Sequence, residues 1–594
     1  MSVDPPKERS RVEPGLGVDR LLLAELPMFR GIGERFHRAL EERLTWIGVS
    51  SGATLFREGD PPNALYVVLY GRLAATVERP AGPFLVGQVG AGELVGEMGL
   101  ITGEPRSATL TALRDSELLR LDREAFDALI ESHPEALLHI CRQLSARLRQ
   151  ASRGSPPDAA PRTVLIGAAT SGAPVRPLAD ALARAIRDLG QSVLVVDAAA
   201  AAGRDREWLH QVEKAHDRVL YVADFADRAW TQRCLRQADS TLLAARAGEP
   251  PPENLPFGSE IVGDVARPTE LVLVDEADGE PRGAGPWLER IAVDLHSHVR
   301  LTSAADVARL ARLLVRRAVG IALSGGGARG IAHIGVIRAL REHGVAIDLF
   351  GGTSMGAIIG GASALGWDED QVLELVRVHL ADSRPFRDFT LPFISLARGR
   401  KVTNMLRQVF GSHRVEDTRM PFFCVSTNLT VGDPKVHDSG PMWRAIRASI
   451  SLPGLLPPVV EAGEVLVDGG MINNFPSDVL DAMRRGPIIG CDVARVRGLR
   501  STVDAFDDRS LWWLLRFGRR EAPSIASILM SSGTVSSAAQ ANQCRLHTDL
   551  LLEPPLEGYS MLDWRGYRRA AEIGYEYASA LLDDPANLAL LERR

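Results

Sequence analysis

The chain has 594 residues and a formal net charge of −6, from 69 basic and 75 acidic side chains. With this balance the chain has no excess of basic residues that would indicate nucleic-acid binding. Its content of 45% hydrophobic and 24% charged residues is typical of globular proteins. Met1 to Arg11 lacks the apolar core of a signal peptide, and no run of about 18 apolar residues occurs, so we expect a cytoplasmic protein without a membrane span. A reducing compartment is also indicated by five scattered cysteines: Cys141, Cys234, Cys424, Cys491 and Cys544.

The length predicts several domains. We expect residues 1–20 to be disordered or flexible, and residues 21–150 to form a small antiparallel β-barrel, because closely spaced glycines separate short apolar runs there. The apolar spacing after Arg123 predicts helices up to Arg149.

Within the predicted barrel, the run 92–101 (GELVGEMGLI) is followed by 105–109 (PRSAT). These strings resemble the phosphate-binding cassette of cyclic nucleotide-binding domains. The resemblance implies that Gly96 and Arg106 meet a cyclic phosphate, that Glu97 accepts from the ribose hydroxyl, and that Ser107 contacts the base. It implies cAMP or cGMP as a regulatory ligand and leaves open which one, and a barrel that keeps the fold without ligand is the alternative. We favour ligand binding because Arg106 would otherwise be an uncompensated buried charge.

The next segment, 151–162, has the composition of a linker. From 163 to 300, apolar runs alternate with helical patterns, which predicts a doubly wound, Rossmann-like parallel sheet. Its first loop, 167–172 (GAATSG), has the glycine spacing of a P-loop, but Ala173 and Pro174 stand where Lys and Ser/Thr are needed. We therefore expect a structural or relay domain, followed by a connecting helix over 301–317.

A nucleophilic serine is predicted at Ser354, in the sequence 352–356 (GTSMG) between an apolar strand and an Ala/Ile/Gly helix. Glycines on both sides suit the sharp strand–turn–helix elbow that such a serine needs. An earlier loop supplies Gly325, Gly326 and Gly327, whose backbone N–H groups can stabilise an oxyanion. A phosphate loop is disfavoured because no Gly-Lys-Ser/Thr ending follows.

Asp468 ends an apolar run and is followed by two glycines. A Ser–Asp–His triad would need His547, the last histidine, which has no flanking glycines, so we disfavour a triad. Asn473 and Asn474 are candidates to orient Asp468, with a helix cap as the alternative role. We predict no metal and no catalytic cofactor.

Together, the triple-glycine loop, the serine elbow and the Asp-Gly-Gly motif resemble patatin-like phospholipases and their Ser–Asp dyad, which implies that Asp468 accepts the Ser354 proton directly. Further strings resemble the neuropathy target esterase subfamily: 425–430 (VSTNLT), 445–458 (AIRASISLPGLLPP) and 466–474 (LVDGGMINN). The resemblance covers almost the whole chain. It implies an α/β/α catalytic domain over 318–494 and hydrolysis of acyl esters in phospholipids or lysophospholipids.

Residues 495–594 are expected to form a helical extension. Two segments combine apolar and basic residues as a membrane-facing surface would, namely 511–520 (LWWLLRFGRR) and 386–410. We therefore expect peripheral association with the inner face of the membrane, and core packing is the alternative for 511–520. The sequence leaves the oligomeric state open.

Two functional hypotheses follow. The first is a serine esterase regulated by a cyclic nucleotide. The second is a ligand-sensing interaction protein whose patatin domain is catalytically idle, and the presence of Ser354, Asp468 and the glycine loop disfavours it.

Overall fold

A computed structural model describes residues 34–79, 82–134, 160–204, 206–223, 227–253, 268–275, 279–391, 393–494, 540–561 and 563–592. Four sequence predictions fall mostly or wholly outside these residues: the N-terminus 1–20, the helices beyond 134, the linker 151–162 and the segment 511–520. The chain forms two compact units, one of Met1–Ala244 with Pro252–Leu271 and one of Ala245–Pro251 with Val272–Arg594. Among the described residues, no helix combines the length and apolar character needed to cross a bilayer.

The first unit begins with the predicted barrel, made of two four-stranded antiparallel sheets in the orders β1-β8-β3-β6 and β2-β7-β4-β5. Val67 and Val68, neighbours on the central strand β3, join separate hydrophobic clusters on its two faces, as strand alternation requires. The elements are α1 (Glu34–Glu41), β1 (Thr45–Val49), β2 (Thr54–Phe56), β3 (Ala64–Tyr70), β4 (Arg72–Arg79), β5 (Gly82–Gly90), β6 (Leu94–Val95), α2 (Glu97–Thr102), β7 (Thr109–Ala112), β8 (Ser116–Asp122) and α3 (Arg123–Ser132).

Parallel strands then alternate with helices. Four of the strands lie side by side in the order β10-β11-β9-β12, and their almost continuous burial is typical of a sheet covered on both faces. Ala173 and Pro174 lead directly into α4, so this loop has the position of a P-loop without its lysine. The elements are β9 (Thr163–Ala168), α4 (Val175–Asp188), β10 (Val193–Val196), α5 (Arg206–Ala215), β11 (Arg218–Val222), α6 (Arg228–Gln237) and β12 (Ser240–Arg246).

A buried ionic cluster joins the barrel to this parallel sheet. The Arg114 guanidinium, on the barrel turn before β8, donates to Glu213 (3.0 Å) and to the Gln237 carbonyl (3.1 Å). Its Nε lies 3.2 Å from the carboxylate of Asp239. All three charged side chains are at least nine-tenths buried. Breaking such a pair on one side leaves an uncompensated buried charge, which costs about 3–5 kcal/mol.

The chain passes into the second unit within β13 (Thr269–Asp275). The large sheet of this unit has the order β19-β20-β17-β16-β15-β21-β22, with β18 paired to β17. Strands β16, β15, β21 and β22 are mutually parallel and β17 is parallel to β16, whereas β18, β19 and β20 form antiparallel pairs. The strands are β14 (Leu295–Arg300), β15 (Val319–Leu323), β16 (Ile347–Thr353), β17 (Phe422–Asn428), β18 (Asp433–His437), β19 (Val459–Glu461), β20 (Glu464–Asp468), β21 (Ile488–Cys491) and β22 (Leu550–Leu552).

Helices cover both faces of this sheet. Phe350 and Leu349, adjacent on β16, belong to two separate hydrophobic clusters on opposite faces. The predicted fold class is therefore confirmed, with helices on both faces of the large sheet of the second unit. The helices are α7 (Gly285–Leu288), α8 (Ala304–Leu314), α9 (Ala332–Glu342), α10 (Met355–Ala364), α11 (Glu369–Val376), α12 (Arg400–Phe410), α13 (Met442–Ser449), α14 (Ser477–Met483), α15 (Tyr567–Leu582) and α16 (Pro585–Leu588), with a π-helical turn at Arg377–Asp382 and 3₁₀ turns at Gly327–Ile331, Gly469–Met471, Trp564–Gly566 and Ala589–Glu592.

The C-terminal region contributes to this sheet in a way that the sequence analysis did not predict. Strand β22 extends the sheet beyond β21, and helix α15 packs along α9. The two helices approach closely because glycines face each other: a Cβ on Gly335 would lie 1.9 Å from the Ala571 carbonyl oxygen, and one on Gly574 would lie 2.1 Å from the Ala332 carbonyl oxygen.

We expect Gly335→Ala to destabilise this unit by about 1–3 kcal/mol, because the added methyl group must push two packed backbones apart. Thermal unfolding of the full chain would show this as a lower midpoint. Gly48→Ala is the control, since a Cβ there meets nothing within 4 Å. Equal midpoints for the two variants would contradict the close packing.

Candidate active site

Ser354 sits at the turn between β16 and α10 in a strained conformation, with φ 54° and ψ −115°. Neighbouring glycines make this elbow possible. A Cβ on Gly352 would lie 2.4 Å from the Gly356 carbonyl oxygen, and one on Gly356 would lie 2.2 Å from the Leu323 carbonyl oxygen. Strained conformations of this kind cost on the order of 1–3 kcal/mol and gather at functional sites. The elbow predicted from the glycine spacing is present.

Asp468 lies beside the serine at the end of β20. Ser354 donates its hydroxyl to Asp468 Oδ2 at 2.9 Å, and the Gly470 N–H donates to Oδ1 at 2.8 Å. Strand β20 runs antiparallel to β17, which pairs with the strand leading to Ser354, so the sheet itself sets the separation. Gly469 lets the chain pass close by, because a Cβ there would lie 2.3 Å from the Val425 carbonyl oxygen.

The Asp468 carboxyl is only 5% exposed, and burial raises its pKa to about 6, although the hydrogen bonds from Gly470 and Ser354 act in the opposite direction. A carboxylate with a pKa close to neutral is a stronger base than an ordinary aspartate and is still ionised at pH 7. The pair can therefore transfer the serine proton directly to a carboxylate.

The triple-glycine loop lies next to the serine, since a Cβ on Gly325 would come within 3.0 Å of Ser354 Cβ. The Gly325 amide donates to the Asn474 carbonyl at 3.2 Å, and Asn474 Nδ2 donates back to the Gly325 carbonyl at 3.3 Å. Gly325 is therefore a poor oxyanion donor, and its amide instead fixes the loop. The amides of Gly326 and Gly327 donate to no acceptor among the described residues.

A further serine, which the sequence analysis did not single out, holds the elbow. Ser449 Oγ accepts the Ser354 backbone N–H at 2.9 Å and donates to the Val425 carbonyl at 2.7 Å. Ser449 belongs to the string 445–458 that carries the family resemblance, but its role depends on a contact across 95 residues. The string itself was the only signal available.

His547 and His333 bond to groups other than the Ser354–Asp468 pair. His547 Nδ1 lies 2.8 Å from Asp481 Oδ2, which gives no support for a triad. His333 is buried between the Ser324 carbonyl (2.9 Å) and Cys491 Sγ (3.0 Å), and burial lowers its pKa to about 4. It is thus neutral at pH 7 and braces the start of the glycine loop.

The two asparagines do not contact the Asp468 carboxylate. Asn473 donates to Asp478, in the first turn of α14, at 2.8 Å. Its observed role is therefore close to the helix-capping alternative, and Asn474 is engaged with the glycine loop as described above.

In the barrel, the cassette residues meet at the start of α2. Gly96 has φ 80°, and a Cβ there would lie 2.2 Å from Arg106 Nη1. Arg106 donates to the carbonyls of Gly96 (2.9 Å) and Ala64 (2.6 Å), and its guanidinium lies 4.2 Å from the centre of the Phe56 ring. The buried guanidinium therefore has hydrogen-bond and ring partners without a ligand, so its burial alone is no argument for one, although these neutral partners leave its charge.

Other features of the cassette still fit a cyclic nucleotide. Arg106 Nε has no hydrogen-bond partner among the described residues, Glu97 is buried at the first position of α2, and Ser107 is exposed beside them. An anionic phosphate at this helix start would meet both the helix dipole and the guanidinium.

Family comparisons match the three predicted parts in chain order. A cyclic nucleotide-binding domain model matches residues 47–133, a neuropathy target esterase family P-loop-like domain model matches 161–318, and a patatin-like phospholipase model matches 321–481.

Curated relatives align along most of the chain. Patatin-like phospholipase domain-containing protein 6 of Pongo abelii is 30% identical over 92% of this chain and 45% of its own length, and lysophospholipase nte1 of Aspergillus fumigatus is 30% identical over 91% and 42%. A third, patatin-like phospholipase domain-containing protein ZK370.4 of Caenorhabditis elegans, is 30% identical over 91% and 46%. The chain thus spans about half the length of these relatives or slightly less. With its three domains in this order and its Ser354–Asp468 pair assembled, the chain belongs to the neuropathy target esterase group of the patatin-like phospholipases.

Proposed function

We propose that the protein is a serine esterase that hydrolyses acyl esters of glycerophospholipids or lysophospholipids, as the name of the Aspergillus relative indicates for that protein. The observation that carries the proposal is the 2.9 Å hydrogen bond from Ser354, in its strained elbow, to a buried carboxylate. An idle interaction domain would have no need of a strained serine or of an aspartate whose pKa is raised toward neutrality.

The mechanism follows from these contacts. Ser354 Oγ attacks the acyl carbonyl carbon while its proton passes to Asp468. The carbonyl oxygen becomes an oxyanion, which the Gly326 and Gly327 amides stabilise. Asp468 then returns the proton to the glycerol oxygen as the ester bond breaks. A water molecule, deprotonated by Asp468, hydrolyses the acyl-enzyme and restores both residues.

An exposed apolar loop supports action at a lipid surface. Phe389, Leu391, Phe393 and Ile394 are 68–90% exposed and close together in sequence, within the segment 386–410 that the sequence analysis selected. Water-exposed aromatic and aliphatic residues grouped in this way favour insertion into the interfacial region of a membrane. We infer that the protein binds membranes peripherally through this loop.

The barrel is inferred to bind a cyclic nucleotide that regulates the esterase. Arg106 and the start of α2 would hold the phosphate, and Glu97 would accept from the ribose hydroxyl. A ligand at this site changes the esterase rate only if it binds two states of the chain with different affinity.

A fluorophosphonate probe tests the esterase assignment directly. We expect the full chain to become labelled at Ser354, and Ser354→Ala to lose both labelling and, by on the order of 10⁴-fold or more, ester turnover. Ser439→Ala, at an exposed serine, is the matched control and should behave as wild type. Turnover that persists in a folded Ser354→Ala protein would refute the nucleophile.

The dyad predicts a particular pH dependence. Asp468 must be ionised to accept a proton, so kcat/KM should fall as pH decreases through about 6. Asp468→Asn should lower turnover by on the order of 10² to 10⁴-fold. His547→Ala should change turnover little and keep the same acid limb. Loss of activity in a folded His547→Ala variant would favour a triad instead.

Titration calorimetry with cAMP and with cGMP tests the regulatory site. The contact between Arg106 and a phosphate predicts about ten- to a hundredfold weaker binding in Arg106→Ala, because a charge-assisted hydrogen bond is lost. Arg43→Ala, at an exposed arginine of the same domain, is the control. The nucleotide that binds should also change the esterase rate of wild type and fail to do so in Arg106→Ala. Heats of zero for both nucleotides would leave the barrel without this role.

A further inference from the structure

A basic pocket of about 410 Å³ lies between the start of α12, helix α13 and the segment Pro457–Val459. Its lining is notable for arginines and contains no acidic residue. The five arginines of the lining are Arg398, Arg400, Arg407, Arg444 and Arg447.

Most of this positive charge is not balanced by neighbouring carboxylates. Arg444 pairs with Glu461 at 3.1 Å. For the other four arginines, no carboxylate of the described residues lies within ion-pair distance. Burial lowers the pKa of Arg447 to about 10, and the nearby Asp388 carboxylate acts in the opposite direction. Asp388 itself accepts the Lys401 backbone amide at 3.1 Å.

Arg447 forms the inner wall and is the most constrained of the five. It is 4% exposed, and its guanidinium donates to Thr403 Oγ1 (3.2 Å), Ser451 Oγ and the Pro457 carbonyl (3.1 Å). These neutral partners satisfy its hydrogen bonds but leave its charge. Arg407 is oriented differently, over the Trp443 ring at 4.4 Å from the ring centre.

Helix α12 adds to the positive potential. It begins at Arg400, in the pocket wall, and its N-cap Gly399 has φ 73° and no capping side chain. The helix dipole favours an anion at this end, and the Asp388 carboxylate already accepts the Lys401 amide of its first turn. Guanidinium forks and a helix start together suit the oxygens of a phosphate.

The position of the pocket favours the phosphate of a lipid headgroup over a free phosphate compound. Arg398 and Arg400 follow the exposed apolar loop of Phe389, Leu391, Phe393 and Ile394 by only a few residues. When such a loop enters the acyl boundary of a membrane, basic residues next to it in the chain come to the depth of the headgroups.

The pocket also shares a chain segment with the catalytic pair. Arg447 donates to Ser451 Oγ, and the Ser451 carbonyl accepts the Asp468 backbone N–H at 2.9 Å. None of its lining residues belongs to the dyad or to the glycine loop.

We propose that this pocket binds the phosphate of an anionic lipid headgroup and thereby holds the protein on the membrane that contains the lipid. Binding of the headgroup does not depend on esterase activity. A failure of the binding proposal would therefore leave the proposed esterase function standing, and a failure of the esterase proposal would leave the binding proposal standing.

The test compares binding of the full chain to sedimented vesicles of phosphatidylcholine containing either phosphatidic acid or sulfatide at equal surface charge. Wild type should bind the phosphatidic acid vesicles more tightly. Arg398→Gln/Arg400→Gln should lose roughly twenty-five-fold in affinity for them, about fivefold for each basic residue near the surface. Arg184→Gln/Arg565→Gln removes the same charge from exposed positions elsewhere and should bind as wild type.

Two measurements keep the result interpretable. Turnover of a soluble short-chain ester should be unchanged in Arg398→Gln/Arg400→Gln, which shows that the fold is intact. Inorganic phosphate, added as a competitor, should displace the protein from phosphatidic acid vesicles only weakly. Equal binding to both vesicle types, wild-type binding by the Arg398→Gln/Arg400→Gln variant, or full displacement by inorganic phosphate at low concentration would each overturn the proposal.

Discussion

The catalytic unit depends on the close approach of several backbone segments around Ser354. The elbow, the end of β15 and the turn after β20 meet with separations that leave no room for a Cβ at Gly352, Gly356 or Gly469. This crowding holds a serine at a positive φ that it would otherwise avoid. Burial of the surrounding sheet and helices supplies the stability that keeps the strained turn in place. The hydroxyl and the carboxylate are thus positioned by main chain, and little side-chain freedom remains to be lost on binding substrate.

The same burial defines the base. Removing Asp468 from water disfavours its charged form, and the Gly470 amide and the serine hydroxyl partly restore it. A single carboxylate thereby combines a near-neutral pKa with direct contact to Ser354, the proposed nucleophile. An imidazole is unnecessary in this arrangement, and the buried histidine nearby, His333, is held neutral and serves the loop.

Local chemistry explains which features could be predicted. The elbow, the glycine loop and Asp468 were identifiable because each depends on glycines adjacent in sequence. Ser449 and the contact between Gly325 and Asn474 depend on partners 95 and 149 residues away, and no local pattern specifies them. Strand β22 has three residues, too few to distinguish from other apolar runs. The contacts of Arg106 with two carbonyls and a ring could not be predicted for the same reason, because they depend on how distant segments pack.

The buried Arg114 cluster resists opening of the junction between the barrel and the strands β9 to β12. Its three charges are buried. A hinge motion that separated the barrel from the strands β9 to β12 would therefore leave at least one of these charges without its partner. Bending at this junction therefore has a high free-energy cost. If a nucleotide changed the barrel, the barrel and the strands β9 to β12 would therefore move together as one rigid body. Any flexible joint that takes part in the change would lie elsewhere in the chain.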